Sequence, residues 1–170
     1  MKYTLGLMDR GGEMELLLRG IVVGVLGTVV MDVLNHLVAR TGLLAKIEVR
    51  LIGRMAAGWT RGRFRYNHPS EMRQVPNELV YGVAAHYGIG LGLAFIFVLG
   101  WELLVGGPAS PFWALVYGIA TTVASLFFVY PCMGFGVMGL RSPDSLKSFF
   151  SSLANHFYFG IGMAAGVALV

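Results

Sequence analysis

The sequence predicts an all-α membrane protein: a four-helix transmembrane bundle with one interfacial amphipathic helix in its first long loop. Three observations lead there. Of 170 residues, 56% are hydrophobic and 13% charged, whereas soluble domains carry about a quarter charged residues. Four apolar segments, at about 16–39, 79–105, 111–130 and 149–170, each reach the roughly 20 residues that cross a hydrocarbon core of about 30 Å. Glycine is abundant, with 24 residues, as membrane helix packing tolerates and uses. A soluble helical protein would need more charged residues for its surface. The whole chain, 1–170, reads as a single integral membrane domain.

The first segment carries Gly20, Gly24, Thr28, Asp32 and His36 at intervals of four, with Asn35 alongside. A stripe of small and polar residues at this spacing must face other helices. The long connection that follows splits in two. From Leu43 to Ala57, apolar residues recur every three or four, while Lys46, Arg50 and Arg54 take another face. That pattern suits an interfacial helix among anionic head groups, or a helix packed beneath the bundle. From Gly58 to Pro76 the Gly, Arg and Pro content predicts a loop, in which His68-Pro69-Ser70-Glu71 is placed to cap a short turn.

The second segment opens on His86-Tyr87, with Gly82, His86, Gly90 and Ala94 in one line. The third carries Tyr117, Thr121 and Ser125 in line and ends in Tyr130-Pro131-Cys132-Met133, where proline should stop helical hydrogen bonding. The fourth opens on Asn155-His156, with His156, Gly160 and Ala164 in line. His86 to Gly92 and His156 to Gly162 share the pattern His, aromatic, any, apolar, Gly, apolar, Gly, which a duplicated helical hairpin would produce.

Charge predicts orientation. Of thirteen Lys and Arg, ten lie in the first and third connections, and the middle connection around Glu102 to Ser110 has none. The positive-inside rule places both basic loops in the cytoplasm and both termini outside. This clustering is a topology signal and does not point to nucleic acid. The single cysteine, Cys132, excludes an internal disulfide and any CxxC motif. No cleavable signal peptide is evident. Met1 to Glu13 reads as a translated ribosome-binding region, with Met14 a plausible start.

Up-down threading brings the polar residues of all four segments to one leaflet. Ionisable groups in a bilayer are costly and mark sites by default. The candidate ligand-binding residues are His36, His86 and His156, with Asp32, one turn from His36, as the orienting carboxylate. Asn35, Tyr87, Tyr130, Cys132, Met133 and Asn155 support them. Two histidines at one depth suit axial ligation of haem b, and three suit a transition metal. Each also suits a hydrogen bond between helices, and Cys132 and Met133 suit packing at a helix end. P-loop, HExxH, GxSxG and dinucleotide motifs are absent, which favours a non-enzymatic role.

Several motifs resemble a known family. They are Gly27-Thr28-x-x-Met31-Asp32, Gly53-Arg54, His86-Tyr87-x-Ile89-Gly90, Pro131-x-Met133-Gly134-x-Gly136 and His156-x-x-Phe159-Gly160-x-Gly162. Together they resemble the bacterial inner-membrane proteins grouped as domain of unknown function 2938, from about Gly20 to the C-terminus. The resemblance implies a multipass protein of the bacterial inner membrane and no established activity. Three roles remain open: a ligand-binding protein holding a metal or haem, a small proton- or cation-coupled transport module, and an assembly subunit of a membrane complex. The expected partners are the lipid bilayer and further copies of the chain or a larger complex.

Overall fold

The computed structural model describes residues 10–170, whose secondary-structure elements are all helices, with no strand. The reading of Met1 to Glu13 as a translated leader falls mostly outside them. Helix α1 spans Arg10–Ala39, α2 Val49–Trp59, α3 Glu78–Leu104, α4 Pro111–Cys132 and α5 Ser145–Leu169. Helices α1, α3 and α4 are long and apolar enough to cross a membrane. The fourth predicted segment forms a helix of 25 residues, α5, but does not join them by composition. Ser148, Ser151, Ser152, Asn155 and His156 in its first half lower its hydropathy. Three helices rather than four therefore meet the requirements of a span.

The four long helices form an arc, not a closed square. Antiparallel pairs follow one another: α3 on α1, α1 on α5, α5 on α4. Helix α1 uses two adjacent faces for this. Gly24 lets it approach Leu91 of α3, where a Cβ would lie 2.9 Å from the Leu91 Cα. Gly27, three residues on, meets Phe159 and Met163 of α5. Helices α5 and α4 cross at Gly160 and Gly118, whose backbones touch. Val23, Ala94, Phe97, Ala114, Phe159 and Met163 fill the core between these helices. Helices α3 and α4, the ends of the arc, meet far from the polar residues, where the Phe97 and Tyr117 rings pack at a tilt and the Tyr117 hydroxyl donates to the Leu93 carbonyl at 3.0 Å.

The second helix is shorter than predicted. The stretch Leu43 to Glu48 is not helical, because the Asn35 side chain claims its backbone. Asn35 Nδ2 donates to the Ala45 carbonyl at 3.0 Å, and its Oδ1 accepts from the Ile47 amide at 3.1 Å. Helix α2 then packs under the bundle against the start of α3. Gly53 meets the Glu78 and Gly82 backbones, and Gly82 meets Val49. The short turn predicted at His68 is present, with His68 Nδ1 accepting from the Ser70 amide at 3.2 Å.

Helix α4 ends inside the Tyr130-Pro131-Cys132-Met133 stretch, as the sequence predicts, one residue past the proline. The helix runs on to Cys132 by widening into a π-turn over Ser125–Val129, in which the Tyr130 amide reaches back to the Ser125 carbonyl. The ring lacks an N–H and crowds the carbonyl four residues earlier, and the wider turn relieves both. The two basic loops then pack on each other. The Tyr66 amide donates to the Cys132 carbonyl at 3.1 Å, and Gly134, at φ +85°, lies so close to the His68 backbone that a Cβ would not fit. Both loops thus share one end of the molecule, opposite the α3–α4 connection.

Candidate functional site

Asp32 sits on α1 facing α3. Its Oδ1 accepts from His86 Nε2 at 2.8 Å and its Oδ2 from the Tyr87 hydroxyl at 3.1 Å. The carboxylate orients a histidine of the neighbouring helix, not His36 on its own. His36 is exposed and makes no hydrogen bond among the described residues. The reason lies in α2. His36 continues the face of α1 that meets α3, but the next position along α3, at Gly82, is already covered by Val49 of α2. Of the three imidazoles expected to converge, His86 and His156 line one cavity and His36 does not.

His156, on α5, donates or accepts at Nδ1 with Thr121 Oγ1 of α4 at 2.7 Å. One turn nearer the loops, Ser152 and Ser125 join the same two helices at 3.1 Å. Each hairpin thus couples a polar residue of its first helix to the histidine of its second: Asp32 to His86, Thr121 to His156. The glycines that follow each histidine serve helix approach. Gly90 receives the Thr28 hydroxyl, and Gly160 lies 2.7 Å, measured from a built Cβ, from the Leu115 carbonyl. Asn35 is 2% exposed and also donates to Asn155 Oδ1 at 2.8 Å, so it ties α1, α5 and the first loop at one point.

His86 and His156 line one cavity of about 550 Å³, enclosed by α3, α4 and α5 and floored by the segment leading into α2. This is the size of a small-molecule site. Its walls are largely apolar, with Ile89 and Leu93 from α3, Phe128 and Val129 from α4, and Phe159 from α5. The π-turn of α4 contributes Ser125, Phe128 and Val129 directly; such turns recur at functional sites. Because α3 and α4 do not pack on each other here, the cavity has two lips. Ile89 and Phe128 on them remain 38% and 60% exposed. Trp59 of α2 also lines it, and its Nε1 is buried with no partner among the described residues.

The supporting residues divide. Asn155, Tyr130 and Met133 line the cavity, whereas Cys132 does not. Cys132 and Met133 are buried with Met55, Tyr66 and Met72 in a second core beneath the bundle. The Tyr130 hydroxyl donates to the Ser148 carbonyl at 3.0 Å. Of the three basic residues assigned to lipid head groups, Lys46 is exposed at the cavity rim. Arg54 instead clasps Glu78, with Nε to Oε2 at 2.7 Å, and Arg50 joins from the outside at 3.3 Å. This hydrogen bond holds the Arg54 guanidinium above its ordinary pKa, against the opposing effect of burial. The clasp binds α2 to α3, because Glu78 is 9% and Arg54 18% exposed in their side chains.

Among the described residues, no three His, Cys, Asp or Glu side chains come together as a metal site. Three contributors escape sequence reasoning. Ser152 lies four residues before His156 and could have been read from that spacing. Glu78 and Trp59 had no such signal, since their roles depend on how α2 docks. At the opposite end, where the sequence shows little polarity, Arg19 Nε and Trp101 Nε1 are buried around a cavity of about 40 Å³, unpartnered among the described residues.

No curated protein and no solved structure matches this chain. The family model described as "protein of unknown function (DUF2938)" matches residues 21–170, spanning the Asp32–His86 pair, the cavity and the α2 clasp, and the chain belongs to that family.

Proposed function

We propose that this chain is a multipass protein of the bacterial inner membrane that binds an amphiphile taken from the bilayer. The observation that carries the reading is the cavity of about 550 Å³ between α3 and α4, largely apolar along its walls, with His86, Asn155 and His156 among its polar lining residues. An apolar pocket with a few convergent polar groups is the usual form of a small-molecule site. Its lips, Ile89 and Phe128, sit on two helices apolar enough to span a membrane, so an occupant would enter sideways from lipid.

Helix α5 is read here as the fourth span. At about 1.5 Å per residue its 25 residues extend roughly 37 Å. Its polar residues Ser151, Ser152, Asn155 and His156 turn inward or to the cavity, while Phe150, Leu153, Phe157 and Ile161 form the exposed stripe. With both basic loops at one end, the cavity would lie in the cytoplasmic half of the membrane. With no third ligand beside the two imidazoles among the described residues, an organic head group is favoured over a metal ion.

The test is native mass spectrometry of the protein released from lipid nanodiscs made with bacterial lipid extract. The wild-type chain should retain a stoichiometric lipid-sized adduct. Ala124→Trp, which fills the cavity from α4, should lose it while keeping its helical content. A wild-type chain with no retained adduct would overturn the reading.

A further inference from the structure

We infer that the loop from Arg61 to Tyr66 is an interfacial anchor for anionic phospholipids, with Phe64 set among their head groups and Arg61 and Arg65 on their phosphates. This rests on the multipass reading above and not on what fills the cavity.

Helix α4 fixes the depth of the loop. Its 22 residues, Pro111–Cys132, extend about 33 Å at 1.5 Å per residue. That is little more than a hydrocarbon core of about 30 Å, so Cys132 stands where the core gives way to head groups. The Tyr66 amide donates to the Cys132 carbonyl at 3.1 Å, which puts Tyr66 at the same level. Phe64, two residues away, lies within roughly 7 Å of it, and the head-group layer is about 5–8 Å deep on each side. The end of α2 fixes the lateral position. The amides of Arg61 and Arg63 both donate to the Gly58 carbonyl at 2.9 Å, and Gly62 turns the chain at φ +77°. The loop thus folds back beside Trp59. The Trp59 ring packs 6.1 Å, between centroids, from that of Phe128, which is 60% exposed on the outside of α4. The loop therefore stands at the rim of the bundle, next to the α4 lip of the cavity.

This loop is firmly held, yet it presents an apolar ring outward. Tyr66 is 6% exposed in the second core. Arg63 pairs with Glu71 at 2.6 Å and lies 4.2 Å over the Tyr66 ring. Between these fixed points Phe64 is 64% exposed. Arg61 and Arg65 beside it are exposed and make no ion pair or side-chain hydrogen bond among the described residues. From Thr60 to Asn77 the sequence holds four arginines and a single acid, Glu71, which Arg63 already occupies. An aromatic ring flanked by unpartnered cations suits a surface that is apolar below and anionic above. A guanidinium also matches a phosphate with two parallel N–H groups. An acidic soluble protein would meet the charges, but the depth of Phe64 favours lipid.

Photocrosslinking tests this. The full chain carrying Phe64→p-benzoylphenylalanine is placed in nanodiscs of equal parts phosphatidylglycerol and phosphatidylcholine, irradiated and weighed by mass spectrometry. The same substitution at Phe127, 53% exposed on α4, reports contact with lipid inside the core. Position 64 should form lipid adducts that favour phosphatidylglycerol about tenfold or more, since each arginine near an anionic surface is worth about fivefold. Adding Arg61→Gln and Arg65→Gln should cut the preference to about threefold or less. Both are exposed, so helical content by circular dichroism should not change. Equal labelling of the two lipids, or an undiminished preference without the arginines, would overturn the anionic site. Lipid adducts at 127 but none at 64 would remove the loop from the head groups while the multipass reading stands. A crosslink from 64 to a protein in place of lipid in living bacteria would assign the surface to a protein partner. If neither position labels lipid, the inference and the multipass reading fail together.

Discussion

Replacing Gly118 by alanine should separate two helices and disconnect His156 in one step. A Cβ at Gly118 would fall onto the Gly160 Cα and within 2.7 Å of the Gly160 nitrogen. Carbon atoms rest at about 3.5–4.0 Å, and both neighbours are backbone, so α4 and α5 must part by roughly 1 Å. One turn along, Thr121 Oγ1 and His156 Nδ1 are 2.7 Å apart. The same displacement would stretch them to about 3.7 Å, beyond hydrogen-bonding range. Overpacking of this kind costs about 1–3 kcal/mol, and the lost hydrogen bond adds about 1 kcal/mol. Alanine returns roughly 0.5–1 kcal/mol through helix propensity. Gly88→Ala isolates that gain, because nothing lies within 4 Å of a Cβ there. The two variants should therefore differ by about 2–4 kcal/mol, with Gly118→Ala the less stable. Reversible unfolding by sodium dodecyl sulfate in mixed micelles, followed by circular dichroism, measures the difference. Equal stability would refute the claim that the Gly118–Gly160 contact sets the α4–α5 distance.

Three further outcomes are expected. Asn35→Leu should destabilise the protein by about 1–3 kcal/mol in the same unfolding assay, since the Ala45 carbonyl, the Ile47 amide and Asn155 lose their shared partner at a site 2% exposed. A double-mutant cycle of Asp32→Ala and His86→Ala should give a coupling of about 0.6–1.7 kcal/mol, whereas His36→Ala, at an exposed position, should stay within about 0.5 kcal/mol of wild type; equal coupling of Asp32 to both histidines would restore the same-helix pairing. Reporter fusions at Gly107 and after Val170 should behave as periplasmic, and cytoplasmic activity at both would reverse the proposed orientation.

Much of this molecule is legible along the chain. Hydropathy alone locates the long helices, because an apolar run of some twenty residues has few other uses. The period of 3.6 assigns their inward faces: Gly24 and Thr28 of α1, Thr121 and Ser125 of α4, His156 of α5 all point to neighbours or to the cavity. Loop charge, read with the up-down order, brings both basic connections to one end, where they pack together. Periodicity says which face of a helix is polar. It does not say which residue on the facing helix arrives there. That depends on how two cylinders are rotated and shifted against each other, set by contacts such as Gly24 on Leu91 and Gly118 on Gly160.

The tertiary structure alone therefore decides the partners. Asp32 lies one turn from His36 and was free to pair with it, yet the approach of α1 to α3 delivers His86 instead. The docking of α2 on Gly82 leaves His36 outside, and the Glu78 clasp turns Arg54 from a lipid contact into a packing residue. The cavity is likewise invisible in one dimension. It exists because an arc of four helices closes at Phe97 and Tyr117 and stays open at His86 and His156. An enclosed volume is a property of the gap between helices, and no single helix encodes it.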